Sequence, residues 1–400
     1  MQTSALSPPI GPDLRGLSAL IVFILLQPFY LWESGLPQIA HLIFAVMFIG
    51  VFISGGLVVY LDDQRQARGV LYLVLFTGWA FIVDGIYSVT ERSLEPIATA
   101  LDYAYGLILT LLFLTVMNRG GRTASRAIYY TFAFVAITQA MITATGLGRI
   151  YYDVRAMNFF NNPNQLAYFA VIVSVQLSYF GRKLNINFVL HNLALICMAY
   201  VCFRSLSRAG AGAIAATALL DYVLFERNKI RWYVVLLALI LVGVIYHGRI
   251  EHNVFDPFNA RLTVGSSAAK YSGTDELIEG RHYGYLFVEP SRLLVGWGDG
   301  QFEKHFGNSL ELHATLPAVL LAFGVPGITL FILMIWNAVR ADWRAAVVTL
   351  GPLFIYGFTH NGIRNPLLFA ILGVVAAHPI KTQAVKLERT PDRPRPVAAE

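Results

Sequence analysis

The chain has 400 residues, 56% of them hydrophobic and 14% charged, with a formal net charge of +6. A soluble globular domain carries about 25% charged residues, whereas here the charge gathers in short clusters between apolar runs of about 20 residues, the length that crosses a bilayer core. This composition excludes an ordinary soluble enzyme, and the lack of a basic stripe interleaved with aromatics excludes a nucleic-acid binder.

In lipid the backbone must satisfy its own hydrogen bonds, so each such run reads as a helix. The expected fold class is all-α, a polytopic membrane bundle of about twelve transmembrane helices with one periplasmic segment containing short helices. Nine spans fall in residues 1–247, at 16–32, 38–61, 70–89, 97–117, 128–147, 164–180, 184–203, 207–225 and 231–247. Residues 1–13 hold no basic cluster and no cleavage signal follows, so the first run is expected to be retained as a helix. The third and fourth spans carry Asp84 and Asp102, intramembrane carboxylates of the kind a transporter uses. Cys197 and Cys202 share one apolar run and suggest neither a disulfide framework nor a metal site.

A polar segment, 248–310, follows. Its portion "GRHYGYLFVEPSRLLVGWGDGQFEKHFGNSLELH" (280–313) spaces aromatics for a small core. Short amphipathic helices on the membrane surface are expected there, with Gly-rich turns at 296–300. Three more spans, 311–336, 343–359 and 363–380, fill residues 311–380, and a Pro-, Arg- and Lys-rich tail at 381–400 is expected to be disordered on the cytoplasmic side. Placing both termini in the cytoplasm puts eighteen Lys and Arg on inner segments and six on short outer loops. The positive-inside rule therefore sets the long segment outside, in the periplasm of a bacterium.

The outward cations need a reason. Arg204 and Arg208 flank the start of the eighth span, and outward loops carry Arg155, Arg281, Arg292 and Arg364. Guanidiniums that converge make an anion site, because each binds phosphate with paired hydrogen bonds; arginines that merely snorkel to the interface are the alternative. His313, at the mouth of the tenth span, is the candidate base, since imidazole accepts a proton near neutral pH. His360 in "THNGIRNP", beside Arg364, and His282 compete with it, and each could equally be a histidine facing water at a helix end. "NNPNQLAYF" (161–169) reads as a capped helix start, with Asn162 as cap and Pro163 in the first turn; amides such as Asn164 could also hold sugar hydroxyls. No metal-ligand pattern, phosphate-binding glycine loop or nucleophile elbow is found, so no metal or cofactor is expected.

Four stretches, in this order, carry a resemblance to the bacterial O-antigen ligase and O-antigen polymerase superfamily. "RAMNFFNNPNQLA" (155–167) is similar to an Arg, Gly-x-Phe, Asn-Pro-Asn stretch, with Asn158 where glycine is usual. "SLSRAGAGA" (205–213) resembles a Ser-Arg motif. Residues 280–302 resemble a loop that opens on Gly-Arg and closes on Gly-x-Gly-x-Gly-x-Phe, and His313 precedes Gly324 by a ten-residue spacer, with Ala314 where Asn or Ser is frequent. The resemblance implies a metal-independent, inverting glycosyltransferase of the bacterial inner membrane. Its donor is an undecaprenyl diphosphate-linked glycan. The acceptor is a lipid A core sugar for a ligase, or a lipid-linked repeat for an O-antigen or exopolysaccharide polymerase. By motif, His313 maps onto the catalytic base, and Arg208 and Arg281 onto the diphosphate-binding arginines. Arg155, Asn164, Arg204, Arg292, His360 and Arg364 stand as further substrate-binding candidates. A polytopic transporter is the reading from another class.

Overall fold

The computed structural model describes residues 14–32, 37–54, 61, 64–151, 155–225, 282–305 and 312–377. The expected span 231–247, the portions 248–281 and 306–311, Arg281 and the tail 381–400 lie outside the described residues. The helices are α1 Leu14–Leu26, α2 Ile39–Ile53, α3 Gln64–Glu91, α4 Glu95–Thr145, α5 Pro163–Leu184, α6 Phe188–Arg204, α7 Arg208–Phe225, α8 Gln301–His305, α9 Thr315–Ala341, α10 Trp343–Gly357 and α11 Pro366–Ala377. Two 3-10 turns, Tyr283–Phe287 and Pro290–Leu294, precede α8.

The protein is mostly helical, and each expected span inside the described residues coincides with helix. Among the described residues α3, α4 and Thr315–Arg340 of α9 are long and apolar enough to cross a membrane, while α1, α2 and α6 are shorter apolar helices. Twelve full crossings are not reached by these helices. α4 holds two of the expected spans. It breaks at Gly121 (φ 51°, ψ −128°), and Ser125 Oγ lies 3.7 Å from Met117 Sδ. In a straight helix eight residues rise about 12 Å, so the chain doubles back there.

α5 is the centre of the bundle. Asn162 accepts a hydrogen bond from the Gln165 amide at 2.8 Å, Pro163 needs no donor in the first turn, and Asn185 closes the far end in the left-handed region. Its side chains are buried on every face, which marks a helix surrounded by others rather than one facing lipid. α7 approaches closely because Gly210 leaves no room for a Cβ, which would stand 2.7 Å from Cys202 Sγ and 2.9 Å from Ala167 Cβ.

The all-α expectation needs one addition, a two-stranded antiparallel hairpin, β1 Arg149–Tyr151 with β2 Arg155–Asn158. Asn158 adopts φ 49°, a conformation that glycine and asparagine tolerate. Its buried amide donates to Gln139 Oε1 at 2.8 Å and bonds Thr143 Oγ1 at 3.0 Å. These bonds account for an asparagine held in a conformation that most residues avoid.

The 295–300 loop enters the bundle instead of lying on its surface. α9 is broken at Gly324 (φ 64°, ψ −165°), and Pro326 has no N–H to give the Ala322 carbonyl. The freed carbonyls find other donors. Trp297 N donates to Leu321 O at 2.9 Å, Gly298 N to Ala322 O at 2.8 Å, and Trp79 Nε1 to Phe323 O at 2.7 Å. Leu321 and Ala322 lie about 10 Å along the axis from the start of α9 at 1.5 Å per residue, so the loop penetrates about that far. Gly296, Gly298 and Gly300 all have positive φ. Tyr285, Leu286 and Leu293 pack behind the loop on Trp297 and Phe302.

A Cβ at Gly324 would meet the Val295 carbonyl carbon at 2.5 Å and Gly296 N at 2.7 Å, whereas Gly212 in α7 has open space. Gly324→Ala is expected to destabilise by about 2 kcal/mol or more through strain and clash. Gly212→Ala should stabilise slightly, by up to about 1 kcal/mol. Thermal unfolding of the two purified variants in detergent checks this, and equal melting temperatures would contradict it.

Candidate functional site

The starts of α5, α7, α9 and α11 and the ends of α6 and α10 meet at one rim. Arg155, at the head of β2, ties two of them together. Its Nε donates to Ser205 O at 2.8 Å, and its Nη2 donates to Asn164 Oδ1 at 3.0 Å. Ser205 lies in the tight turn between α6 and α7, where Ser205 Oγ donates to Cys202 O at 2.6 Å and Leu206 takes φ 54°. Ser207 Oγ then accepts from Gly210 N at 3.3 Å, which starts α7. The turn presents Arg204 at one end and Arg208 at the other. Arg208 is exposed and makes no hydrogen bond or ion pair with the described residues. Arg204 is half-buried, and its Nε is buried with no acceptor.

Tyr356 of α10 links this turn to the histidines. Its hydroxyl donates to Asn164 O at 2.7 Å. Its ring stacks on Tyr168 at 4.8 Å and on His360 at 4.6 Å between centroids. His360 Nδ1 lies 2.9 Å from Thr359 Oγ1. Thr315 Oγ1 donates to the His360 carbonyl at 3.1 Å and itself accepts from Gly362 N at 3.1 Å. Thr315 opens α9, two residues after His313. The partly buried His313 ring has its centroid 6.0 Å from that of His282, which stacks on Tyr285. Tyr283 closes the circuit by donating to Phe358 O at 2.8 Å.

The structure thus brings Arg155 and Asn164 into direct contact, adds His360 through Tyr356, and reaches His313 through Thr315. Arg204 and Arg208 stand on the turn that Arg155 grips. Arg292 and Arg364 are occupied elsewhere. Arg292 donates to Tyr87 Oη at 3.3 Å, pairs with Glu289 at 3.5 Å and covers the Trp297 ring at 4.8 Å. Arg364 grips Asp299 from two nitrogens, Nη2 to Oδ1 at 2.7 Å and Nε to Oδ2 at 3.0 Å. Tyr103 also donates to Asp299 Oδ2 at 2.6 Å, and the Asp299 amide donates to Asp84 Oδ1 at 2.9 Å. Burial alone would raise the Asp299 carboxyl, but the Arg364 charge and the bonds from Arg364 and Tyr103 outweigh it and hold it below the usual carboxylate range.

Tyr356, Thr315, Tyr103 and Asp299 were not singled out from the sequence. Asp299 had a signal, as the acid between two glycines of the Gly-x-Gly-x-Gly stretch. Tyr356 and Tyr103 sit inside apolar runs and had none. Among the described residues no three His, Cys, Asp or Glu gather as metal ligands. No family model matches the chain, and no curated protein matches it.

Removing one partner from a buried ion pair costs about 3–5 kcal/mol, and the half-open Arg364 side chain puts this pair at the lower end. Arg364→Met is expected to lower stability by about 3 kcal/mol. Because the folded Asp299 lies below the ordinary value of about 3.9, the pair's contribution is present above that pH and is lost as the pH falls through the lowered folded value. Acidification should therefore destabilise the native chain more than Arg364→Met. Melting curves at descending pH test it; parallel curves would remove the ion pair as a stabilising element.

Proposed function

We propose that the protein is a polytopic glycosyltransferase working at the rim, and the observation that supports this best is the pair of arginines on the Ser205 turn. Arg204 and Arg208 have no carboxylate partner among the described residues, while Arg155 fixes the turn that carries them. Two guanidiniums without counter-ions at the end of an apolar bundle favour an anionic ligand with a lipid part, such as a lipid-linked diphosphate.

In this reading the bundle has about twelve spans in a bacterial inner membrane, with both termini cytoplasmic and the rim facing the periplasm. The donor is an undecaprenyl diphosphate-linked glycan. His313 removes the proton from an acceptor sugar hydroxyl, with His360 as the alternative base. The acceptor oxygen forms a bond to the anomeric carbon on the face opposite the leaving group. The anomeric carbon–oxygen bond to the diphosphate breaks, and the electron pair leaves with the phosphate oxygen. Arg208 and Arg204, with Arg281, stabilise the charge gathered there. One displacement inverts the anomeric centre. The acceptor is a lipid A core sugar for a ligase, the form we favour, or another lipid-linked repeat for a polymerase. A transporter is the second reading, favoured by Asp84, which is fully buried within α3; solute flux in proteoliposomes lost on Asp84→Asn but kept on Arg208→Ala would establish it instead.

The test is transfer of labelled glycan from the lipid-linked donor in membranes with matched protein levels. Arg208→Ala is expected to lose about 10²- to 10³-fold in rate, and His313→Ala about 10²- to 10⁴-fold. Loss in His360→Ala with His313→Ala unaffected moves the base to His360. Full activity in the arginine variants and both histidine variants sinks the enzyme reading. In a deletion strain, accumulation of lipid-linked polymer identifies a ligase, and single repeats on core identify a polymerase.

A further inference from the structure

Two buried acceptors beside Gly298 have no hydrogen-bond donor from the described protein. One is Asp84 Oδ2, on a residue with no exposed surface; the other is Gln301 Oε1, on a residue 2% exposed. A Cβ placed on Gly298 would stand 3.0 Å from Asp84 Oδ1, from Gln301 Cγ and from Tyr87 Cδ2, so both side chains close on the same glycine. A buried acceptor left without a donor costs about 1–3 kcal/mol. The two side chains flank one glycine, and a proton on the Asp84 carboxyl would give it a hydrogen to donate there.

Charge accounting identifies that hydrogen. The titratable and charged groups acting on Asp84 are Asp299 from the loop and Arg364 from the start of α11. Tyr103 and Asp102 of α4 stand in the same field as this pair. Tyr87 lies one turn along α3 with Arg292 at its hydroxyl. Arg364 gives two nitrogens to Asp299, and the bond Asp84 receives from the described residues comes from a neutral amide. An ionised Asp84 would be a second anion beside one cation, in a medium where an unpaired buried charge costs several kcal/mol.

We propose that Asp84 and Gln301 form a proton-binding site beneath the rim, with one proton held on the Asp84 carboxyl and shared with the Gln301 amide oxygen. The site seals the 296–301 loop against α3. Loss of the proton would place an uncompensated charge under the loop and weaken its seat against the broken α9.

The test uses the full-length protein in detergent. Infrared spectroscopy of the native protein should show the C=O stretch of a protonated carboxyl, absent in Asp84→Asn and shifted in Gln301→Leu. A proton retained only in the folded state makes stability fall as the pH rises above the ordinary carboxylate value of about 3.9. The melting temperature of the native protein should thus decline from about pH 5 to about pH 9, and Asp84→Asn, which can still donate to Gln301, should lack that part of the decline. Should Asp84→Asn fail to fold, the native band and its shift in Gln301→Leu decide. A native spectrum without the band, or parallel pH profiles, overturns the proposal. Stabilisation by sodium over choline that disappears in Asp84→Asn, with no carboxyl band, also overturns it and assigns a metal cation in the proton's place.

Discussion

Irregular backbone inside a membrane bundle must find hydrogen-bond partners that lipid cannot supply. The 295–300 loop meets this constraint by taking carbonyls from a helix that is broken to release them. Gly324 turns the α9 backbone away, Pro326 withholds its donor, and the Trp297 and Gly298 amides fill the gap. Everything stacked on the loop inherits its position from this exchange. Asp299 is set where Arg364 and Tyr103 reach it, and the 3-10 turns lie over the mouth of α9 with His282 beside His313.

The rim is organised by side chains that hold backbone. Arg155 holds a carbonyl of the α6–α7 turn, Tyr356 holds a carbonyl of α5, and Thr315 bridges α9 to the 360–362 segment. Each bond joins two different elements of the chain, so the relative placement of the arginines and histidines is a property of the whole rim. Geometry of this kind suits chemistry in which a charged leaving group and a proton acceptor must keep fixed positions.

Much of this was legible in the sequence, for physical reasons. Apolar runs announce helices because lipid permits little else, and the Asn162–Pro163 start of α5 is local chemistry that needs no tertiary context. The glycines at 296, 298 and 300 announced tight turns, and their φ values agree. What stayed hidden depends on partners distant in the chain. The turn at Gly121 falls in the polar Asn118–Thr123 stretch between two expected spans and was legible, whereas the hairpin at 149–158 is too short to show a period of two. Arg364 was grouped with the substrate-facing arginines because its partner, Asp299, lies 65 residues away. Tyr356 occupies an apolar helix, where nothing distinguishes a packing tyrosine from one whose hydroxyl joins two helices.

The enclosure of α5 bears on traffic through the protein. A helix with no lipid-facing side cannot border a lateral gate, so under the donor reading proposed above an isoprenoid tail would have to lie along peripheral helices such as α3 or α7, whose outward apolar residues Val89, Ile86 and Val223 are open. The head of such a molecule would then come to rest against the fixed hub while its tail stayed in the surrounding fluid.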